Sequence, residues 1–264
     1  MWMLGLSYRS LEIVLDFFGV KLSRTSGWRE VQKRAGQLLR QQKMKKVRVL
    51  GLDVGYVKVL RETQSVMVAV DMKDGRPVAI GYVDERDPQA VKLFLQPLVQ
   101  QLGVSVVVTD DLMTYRTVTD QLDLEHQLCQ FHLRRWVGRT LRELRQTVPE
   151  EWQEVVEEIQ GMIDELPPDG ERRLVQLWKR IPESRRGRMD EPYSPLDQLR
   201  YLLIRLAENW RRYRVFDYDR QVPWTNNLTG QTIGRMKMRS RTVRGYKSKP
   251  GMLNALMLVG MGLC

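Results

Sequence analysis

The order of hydrophobic patterns along the chain predicts an α/β fold built on a mixed five-stranded sheet. Three observations carry that prediction. Three β-rich runs follow one another between residues 47 and 83, the last two separated by Asp74-Gly75, a hairpin-turn dipeptide. Helical and strand patterns then alternate from 88 to 129, which asks for crossover connections and parallel pairing beyond the meander. Residues 131–213 are almost wholly helical in pattern and heavily charged.

Taken in order, Ser7 is placed to cap a first helix over 8–18, with Leu11, Val14, Leu15 and Phe18 at helical spacing and Gly19 ending it. After Ser23 a second helix carries Trp28, Val31 and Leu38 on an apolar side, with Arg24, Arg29, Lys33 and Arg34 elsewhere. A helix, a glycine turn and a basic helix make residues 1–45 a helix-turn-helix DNA-binding region; a helical hairpin packed on its neighbour is the plain alternative. Lys43 to Lys46 read as a basic, solvated link. Strands are expected over 47–54, 65–70 and 77–83, and a helix over 88–102. A buried strand over 104–109 ends on Asp110-Asp111, and after another helix a last short strand runs from His126 to Cys129.

In the helical stretch, Thr147-Val-Pro-Glu-Glu151 reads as a helix start, with a cap, an early proline and acids in the first turn. Pro167-Pro-Asp-Gly170 ends that helix. Residues 182–195, with Arg185-Arg186-Gly-Arg188, read as a basic loop, and 196–213 as a helix with Leu199, Leu202, Leu203, Leu206 and Trp210 apolar.

A chain of 264 residues is long enough for one sizeable core plus a small accessory domain. Its 43 Lys and Arg against 32 Asp and Glu give a formal charge of +11. Each phosphate such a surface neutralises releases a condensed counterion, so nucleic acid is the first partner to expect and an acidic membrane surface the second. The longest apolar tract, 252–264, is shorter than the ~20 residues needed to cross a bilayer. No signal peptide is evident, and two cysteines make no disulfide framework, so the expected location is a reducing cytoplasm, in association with the nucleoid.

Asp53 and Asp110 are the candidate catalytic and metal-binding residues, since each sits at the end of an apolar strand. A carboxylate is costly to bury, and parallel neighbouring strands bring two such tips to one edge of the sheet. Mg²⁺ (or Mn²⁺) suits two repelling carboxylates that also face substrate phosphate oxygens, and phosphodiester cleavage or strand transfer is the chemistry it serves. The alternative is that both aspartates cap the turns that follow them.

Gly51-Leu-Asp53-Val-Gly-Tyr-Val-Lys58, then Val107-Val-Thr-Asp110-Asp, Cys129-Gln-Phe-His132-Leu-Arg-Arg135, Thr225-Asn-Asn227, Ile233-Gly-Arg-Met-Lys237 and Arg244-Gly-Tyr246 come in an order that resembles bacterial DDE-type transposases of the Mutator-like kind. The resemblance spans roughly 47–249 and implies a ribonuclease-H-like core over 46–264, with a helical insertion at about 131–215. It makes Asp53 the first catalytic acid and Asp110 the second, with Asp111 a neighbour. Cys129 and His132 match a Cys-x-x-His signature with a structural or DNA-positioning role; a bare pair supplies two ligands where zinc usually takes four. Transposon ends and target DNA are the implied partners, bound by a homo-oligomer.

The chain departs from that pattern at the third acid. After Asn226-Asn227 the family has two residues and then a glutamate; here Gly230 stands in its place, with no side chain to bind metal. No Asp or Glu follows Asp219; Asp217 and Asp219 precede the asparagine pair, and Gln231 offers only a neutral oxygen. The same acid-free tail carries Arg235, Lys237, Arg239, Arg241, Arg244, Lys247 and Lys249, with Tyr246 among them, and reads as a phosphate-gripping surface. Three functions are open: a transposase in which Gly230 disables the chemistry, a non-catalytic DNA-binding or regulatory protein on the same scaffold, and a ribonuclease-H-like nuclease or resolvase. The opening Met1-Trp-Met, close to the first helix, fits a copy shortened at its N-terminus.

Overall fold

Two helices lead into the sheet. In α1 (Tyr8–Phe17) the Ser7 hydroxyl accepts the Ser10 N–H at 3.0 Å, and ahead of α2 (Arg24–Gln42) Ser23 does the same for Ser26 at 3.1 Å. The computed structural model describes residues 5–42, 46–59, 62–183, 193–242, 246 and 248–262. The opening Met1-Trp-Met, Lys43 and Lys45 of the basic link, and Arg185, Arg186 and Arg188 therefore lie outside the described residues. Trp28 does not join the apolar side of α2: it is exposed, and among the described side chains of the helix the buried residues are Gly27, Ala35 and Leu38. No helix among the described residues is long and apolar enough to cross a membrane.

The strands are β1 (Val49–Val59), β2 (Glu62–Asp71) and β3 (Pro77–Gly81), followed by α3 (Pro88–Leu102), β4 (Val106–Thr109), α4 (Met113–Gln121) and β5 (Glu125–Leu128). They form one mixed five-stranded sheet in the order β3-β2-β1-β4-β5, antiparallel across the meander and parallel between β1 and β4. This is the ribonuclease-H-like topology. The first two strands run beyond the expected limits, because exposed Tyr56 and Lys58 alternate with buried Gly55, Val57 and Val59 at the strand period of two. At the second turn Gly75 adopts φ +71°, the left-handed conformation a glycine takes without penalty.

The chain divides into two compact units, Met1–His126 with Asn226–Cys264, and Gln127–Thr225. The second unit holds α5 (Gln130–Thr147), α6 (Gln153–Glu165), α7 (Gly170–Arg180), α8 (Pro195–Asn209) and α9 (Val215–Tyr218) around a core that includes Leu141, Ile159, Leu203 and Tyr213. Thr147 caps no helix; it is the last residue of α5, and its hydroxyl donates to the Glu143 carbonyl one turn back at 3.1 Å. The helix expected over 196–213 stops at Asn209, and two short helical turns follow.

In the first unit, α10 (Asn227–Thr242) and α11 (Lys249–Gly260) complete the layers. One sheet face packs Leu50, Leu52 and Val54 against Val91, Leu95, Tyr115 and Val118 of α3 and α4. The other packs Val57, Val59, Val66 and Val68 against Ile233, Met236, Met252 and Leu256 of α10 and α11. Ala35 and Leu38 of α2 share a further cluster with Ala255, Leu258 and Val259, so α2 is packed on α11.

Helix α10 reaches β1 most closely at Gly51. A Cβ there would overlap the Thr229 hydroxyl and come within 2.7 Å of the Asn226 amide oxygen. Gly51→Ala is expected to destabilise the protein by about 1–3 kcal/mol, the usual cost of overpacking. Urea unfolding of the two proteins measures it, and an unchanged midpoint would show that α10 is free to move off the strand.

Candidate active site

Asp53 lies in the middle of β1, not at its end, and is half-buried, with its Oδ1 accepting the Val54 N–H at 2.7 Å. Its access comes from the neighbouring strand. Strand β4 stops at Thr109, and its parallel pairing with β1 runs from Val49↔Val106 to Gly51↔Val108. Continued two residues further, that register would bring Asp110 level with Asp53.

A third group reports on both acids. Tyr115 of α4 is buried, and its hydroxyl donates to Glu85 Oε2 at 3.3 Å. Burial first, then the carboxylates of Glu85, Asp110 and Asp53, hold the Tyr115 phenol well above its ordinary range. Asp53 and Asp110 therefore act on one hydroxyl from the same neighbourhood. Glu85 also accepts from the Tyr56 hydroxyl at 3.3 Å. Sequence reasoning missed Glu85 because it falls in the turn Asp84-Glu85-Arg86-Asp87, although an acid just past the end of β3 carries the same signal that marked Asp110.

Behind Asp110 the strand end is fixed by a buried polar chain. His126 is bonded at Nε2 to the Thr109 hydroxyl (2.8 Å) and at Nδ1 to the Thr119 hydroxyl (3.2 Å), while Thr109 also donates to the Asp110 carbonyl at 2.6 Å. Asp111 faces a different partner, Arg116 Nε at 3.6 Å.

The start of α10 is pinned to β1 beside Asp53. Asn226 donates to the Leu52 carbonyl at 2.8 Å, and its side-chain oxygen accepts from Thr229 at 2.6 Å. Asn227 is exposed in the first turn. Asn226 and Thr229 lie over Gly51, and Ile233 and Lys237 lie over Gly55. Gly230 lies between them on the helix, four residues after Asn226 and three before Ile233. It is exposed, and a Cβ built on it meets nothing within 4 Å.

The donor set fits one hard divalent cation. Two carboxylates from adjacent strands supply charge and oxygen, and Mg²⁺ ordinarily fills its remaining positions with water and phosphate oxygens. Among the described residues no three His, Cys, Asp or Glu side chains gather closely enough to enclose a metal ion. In the second unit Asp217 is paired with Arg214 at 2.6 Å, and Asp219 accepts the Gln221 N–H at 3.1 Å, so each has a local role. Gln231 is exposed on α10. Cys129 is buried at the start of α5, and His132 follows it in the first turn.

The cationic tail divides into inward and outward groups. Arg239, expected on a DNA surface, is buried: its Nη2 donates to the Leu6 carbonyl at 2.9 Å, and burial lowers its pKa. Burial likewise pushes the nearby Tyr8 and Tyr246 phenols up to about 12. Arg235 also turns inward, donating to Thr232 Oγ1 (2.8 Å) and the Gly260 carbonyl (3.2 Å). Arg241 is exposed, Lys237 is half-buried, and Lys249 is exposed with its ammonium 5.2 Å from the Tyr82 ring centroid. Arg244 and Lys247 lie outside the described residues.

The family model described as "Transposase IS66 family" matches residues 8–253. The match supports a DDE-type transposase; the family it names is IS66, where the motif order resembled the Mutator-like kind. No curated protein matches the chain. Among solved structures, the simian T-cell lymphotropic virus intasome in complex with PP2A regulatory subunit B56 gamma aligns at 13% identity and a TM-score of 0.28, over 62% of this chain and 49% of that one. This chain thus spans about half the length of the solved chain it matches. With nearly all of the described sequence inside the matched range, the chain belongs to the IS66 family of transposases.

Proposed function

We propose that this protein binds the DNA of a mobile element and holds one divalent cation, Mg²⁺ or Mn²⁺, between Asp53 and Asp110, with strand cleavage and transfer very slow or absent because Gly230 occupies the third-acid position. The observation that supports the reading is the parallel pairing of β1 and β4, which runs to Gly51↔Val108, two residues short of Asp53 and Asp110. A bound ion would polarise the phosphodiester and stabilise the leaving oxygen. The chain's own residues hold the acids in place: the Thr109–His126–Thr119 chain fixes the end of β4, and Asn226 anchors α10 beside Asp53.

The DNA-binding surface is assigned to Lys237, Arg241 and Lys249 with Arg244 and Lys247, and to exposed Arg29, Lys33 and Arg34 of α2, which serves as the second helix of a helix-turn-helix. An element has two ends, so the reading includes a homo-oligomer on DNA. Cys129 and His132 take a positioning role at the start of α5. A second reading, a non-catalytic regulator on the same scaffold, is favoured by Gly230, which offers no ligand and leaves open space in its place.

Cleavage and joining of duplexes carrying the element's ends, with Mg²⁺ or Mn²⁺, test the first reading. The unmodified chain is expected to be nearly inactive and Gly230→Glu to gain activity; normal rates from the unmodified chain would sink the third-acid argument.

Gly230→Glu also has an effect separable from activity. Glycine in a helix costs up to about 1 kcal/mol relative to a good helix former, and an acid in the first turn suits the helix dipole. Against this, a third carboxylate near Asp53 is repelled until a cation joins them. The variant should therefore gain more thermal stability on adding Mg²⁺ than the unmodified chain does. Equal Mg²⁺ responses in a thermal-shift measurement would mean that residue 230 does not face the acids.

For DNA binding, replacing Lys237, Arg241 and Lys249 together by Gln should flatten the dependence of log affinity on log salt, by up to about 0.9 for each phosphate no longer neutralised. Arg239→Gln should instead lower stability, since it removes a buried hydrogen-bonded cation. A salt slope unchanged in the triple variant would move the DNA surface elsewhere.

A further inference from the structure

In the helical unit the charges are segregated by helix. Helix α5 carries Arg134, Arg135, Arg139, Arg142 and Arg145 against a single acid, Glu143, and has no lysine. Its neighbour α6 carries Glu154, Glu157, Glu158, Asp164 and Glu165 and has no Lys or Arg. Interspersed signs are the ordinary mark of a solvated face, and their separation by helix leaves α5 with a strongly positive exposed side.

The five arginines differ in their surroundings. Burial of Leu133, Val137, Leu141 and Leu144 fixes which side of α5 meets the core of its unit. At about 100° per residue, Arg135, Arg139 and Arg142 fall with Gln146 on the opposite side, and all four are exposed. The arginines at the flank are engaged: Arg134 donates to the Asp164 carbonyl at 3.2 Å, and Arg145 pairs with Glu157 at 2.8 Å. Arg135, Arg139 and Arg142 make no hydrogen bond or ion pair among the described residues, although Glu143 stands one turn from Arg139 on the same helix. Like charges one turn apart on a helix repel, and a polyanion lying along them offsets that repulsion.

We propose that this outward face of α5 grips the backbone of a DNA duplex, with one phosphate for each of Arg135, Arg139 and Arg142. From Arg135 to Arg142 is about 10 Å of helix, a length over which one DNA strand carries about three phosphates. Arginine suits the task because its planar fork bonds two phosphate oxygens at once and is weakly hydrated. Gln146 continues the line with a neutral donor, and Phe131, 52% exposed, stands near its other end. Phosphate contacts carry no sequence information, so the face holds DNA whatever its bases. The proposal rests on the DNA-binding reading above and adds a contact on the helical unit to those assigned to α2 and α10.

The test uses the full chain and a blunt DNA duplex of mixed sequence, with affinity measured across a range of salt. Arg135→Gln, Arg139→Gln and Arg142→Gln together should flatten the slope of log affinity against log salt by up to about 0.9 for each phosphate released. The thermal midpoint should not fall, because all three side chains are exposed. A charge-matched control replaces Arg172, Lys179 and Arg180 of α7, which are also exposed, by Gln, and should move the slope little. Replacing the three α5 arginines by Lys should keep the slope and weaken affinity several-fold, since the charge stays and the fork is lost. An unchanged slope in the α5 Gln variant, or an equal loss in the α7 control, would overturn the α5 assignment and leave the DNA-binding reading standing. So would a change in the oligomeric state of the DNA-free α5 variant by sedimentation, which would assign the face to the acidic α6 of a second copy. Failure of the unmodified chain to bind the duplex would overturn both.

Discussion

Helix α10 can lie against β1 only because residue 51 has no side chain. Thr229 and Asn226 fill the space a Cβ would take, and Asn226 closes the approach by donating to the carbonyl of Leu52. The consequences extend along the helix. With its first turn fixed over Gly51, Ile233 and Lys237 come over Gly55, and Lys237 and Arg241 line a cavity of about 620 Å³ with Tyr56, Val57 and Lys58 of β1. One close approach thus sets the position of the cations farther along the helix.

Electrostatics shapes the sheet edge in a complementary way. Strand β1 continues past the point where β4 ends, and the carboxylates of Asp53 and Asp110 both act on the buried Tyr115 hydroxyl. Glu85 is kept at this edge by two phenol hydroxyls, from Tyr56 and Tyr115. The same glutamate thus ties Tyr56 of β1 to the tyrosine that feels both aspartates.

Cations along α10 serve two purposes that sequence does not distinguish. Arg235 and Arg239 point inward and satisfy carbonyls near the chain's two ends, Gly260 and Leu6 respectively. Burying a guanidinium is tolerable there because carbonyl oxygens replace lost water. Lys237 and Arg241 lie toward the cavity. An acid-free, arginine-rich helix is therefore partly a structural clamp, and its charge count overstates the surface available to DNA.

Much of the architecture is legible in the amino-acid order alone: the mixed sheet and the helical unit that follows it. Each follows from a local signal: period-two apolar runs, Asp74-Gly75 at a turn, and a long stretch of helical periodicity. The remaining features come from packing. That Asp53 is mid-strand depends on the antiparallel pairing with β2, which carries β1 on to Val59. That Thr147 ends one helix and caps none depends on the helix behind it continuing. That Trp28 is exposed while Ala35 is buried depends on which side of α2 meets α11, and that Arg239 is interior depends on Tyr8, Leu6 and Tyr246 converging from distant positions. Glu85 was invisible for the same reason, since its meaning comes from two tyrosines 29 and 30 residues away. Short-range periodicity fixes what each segment is, but which groups face one another is set by long-range packing, and a single sequence carries no direct record of that.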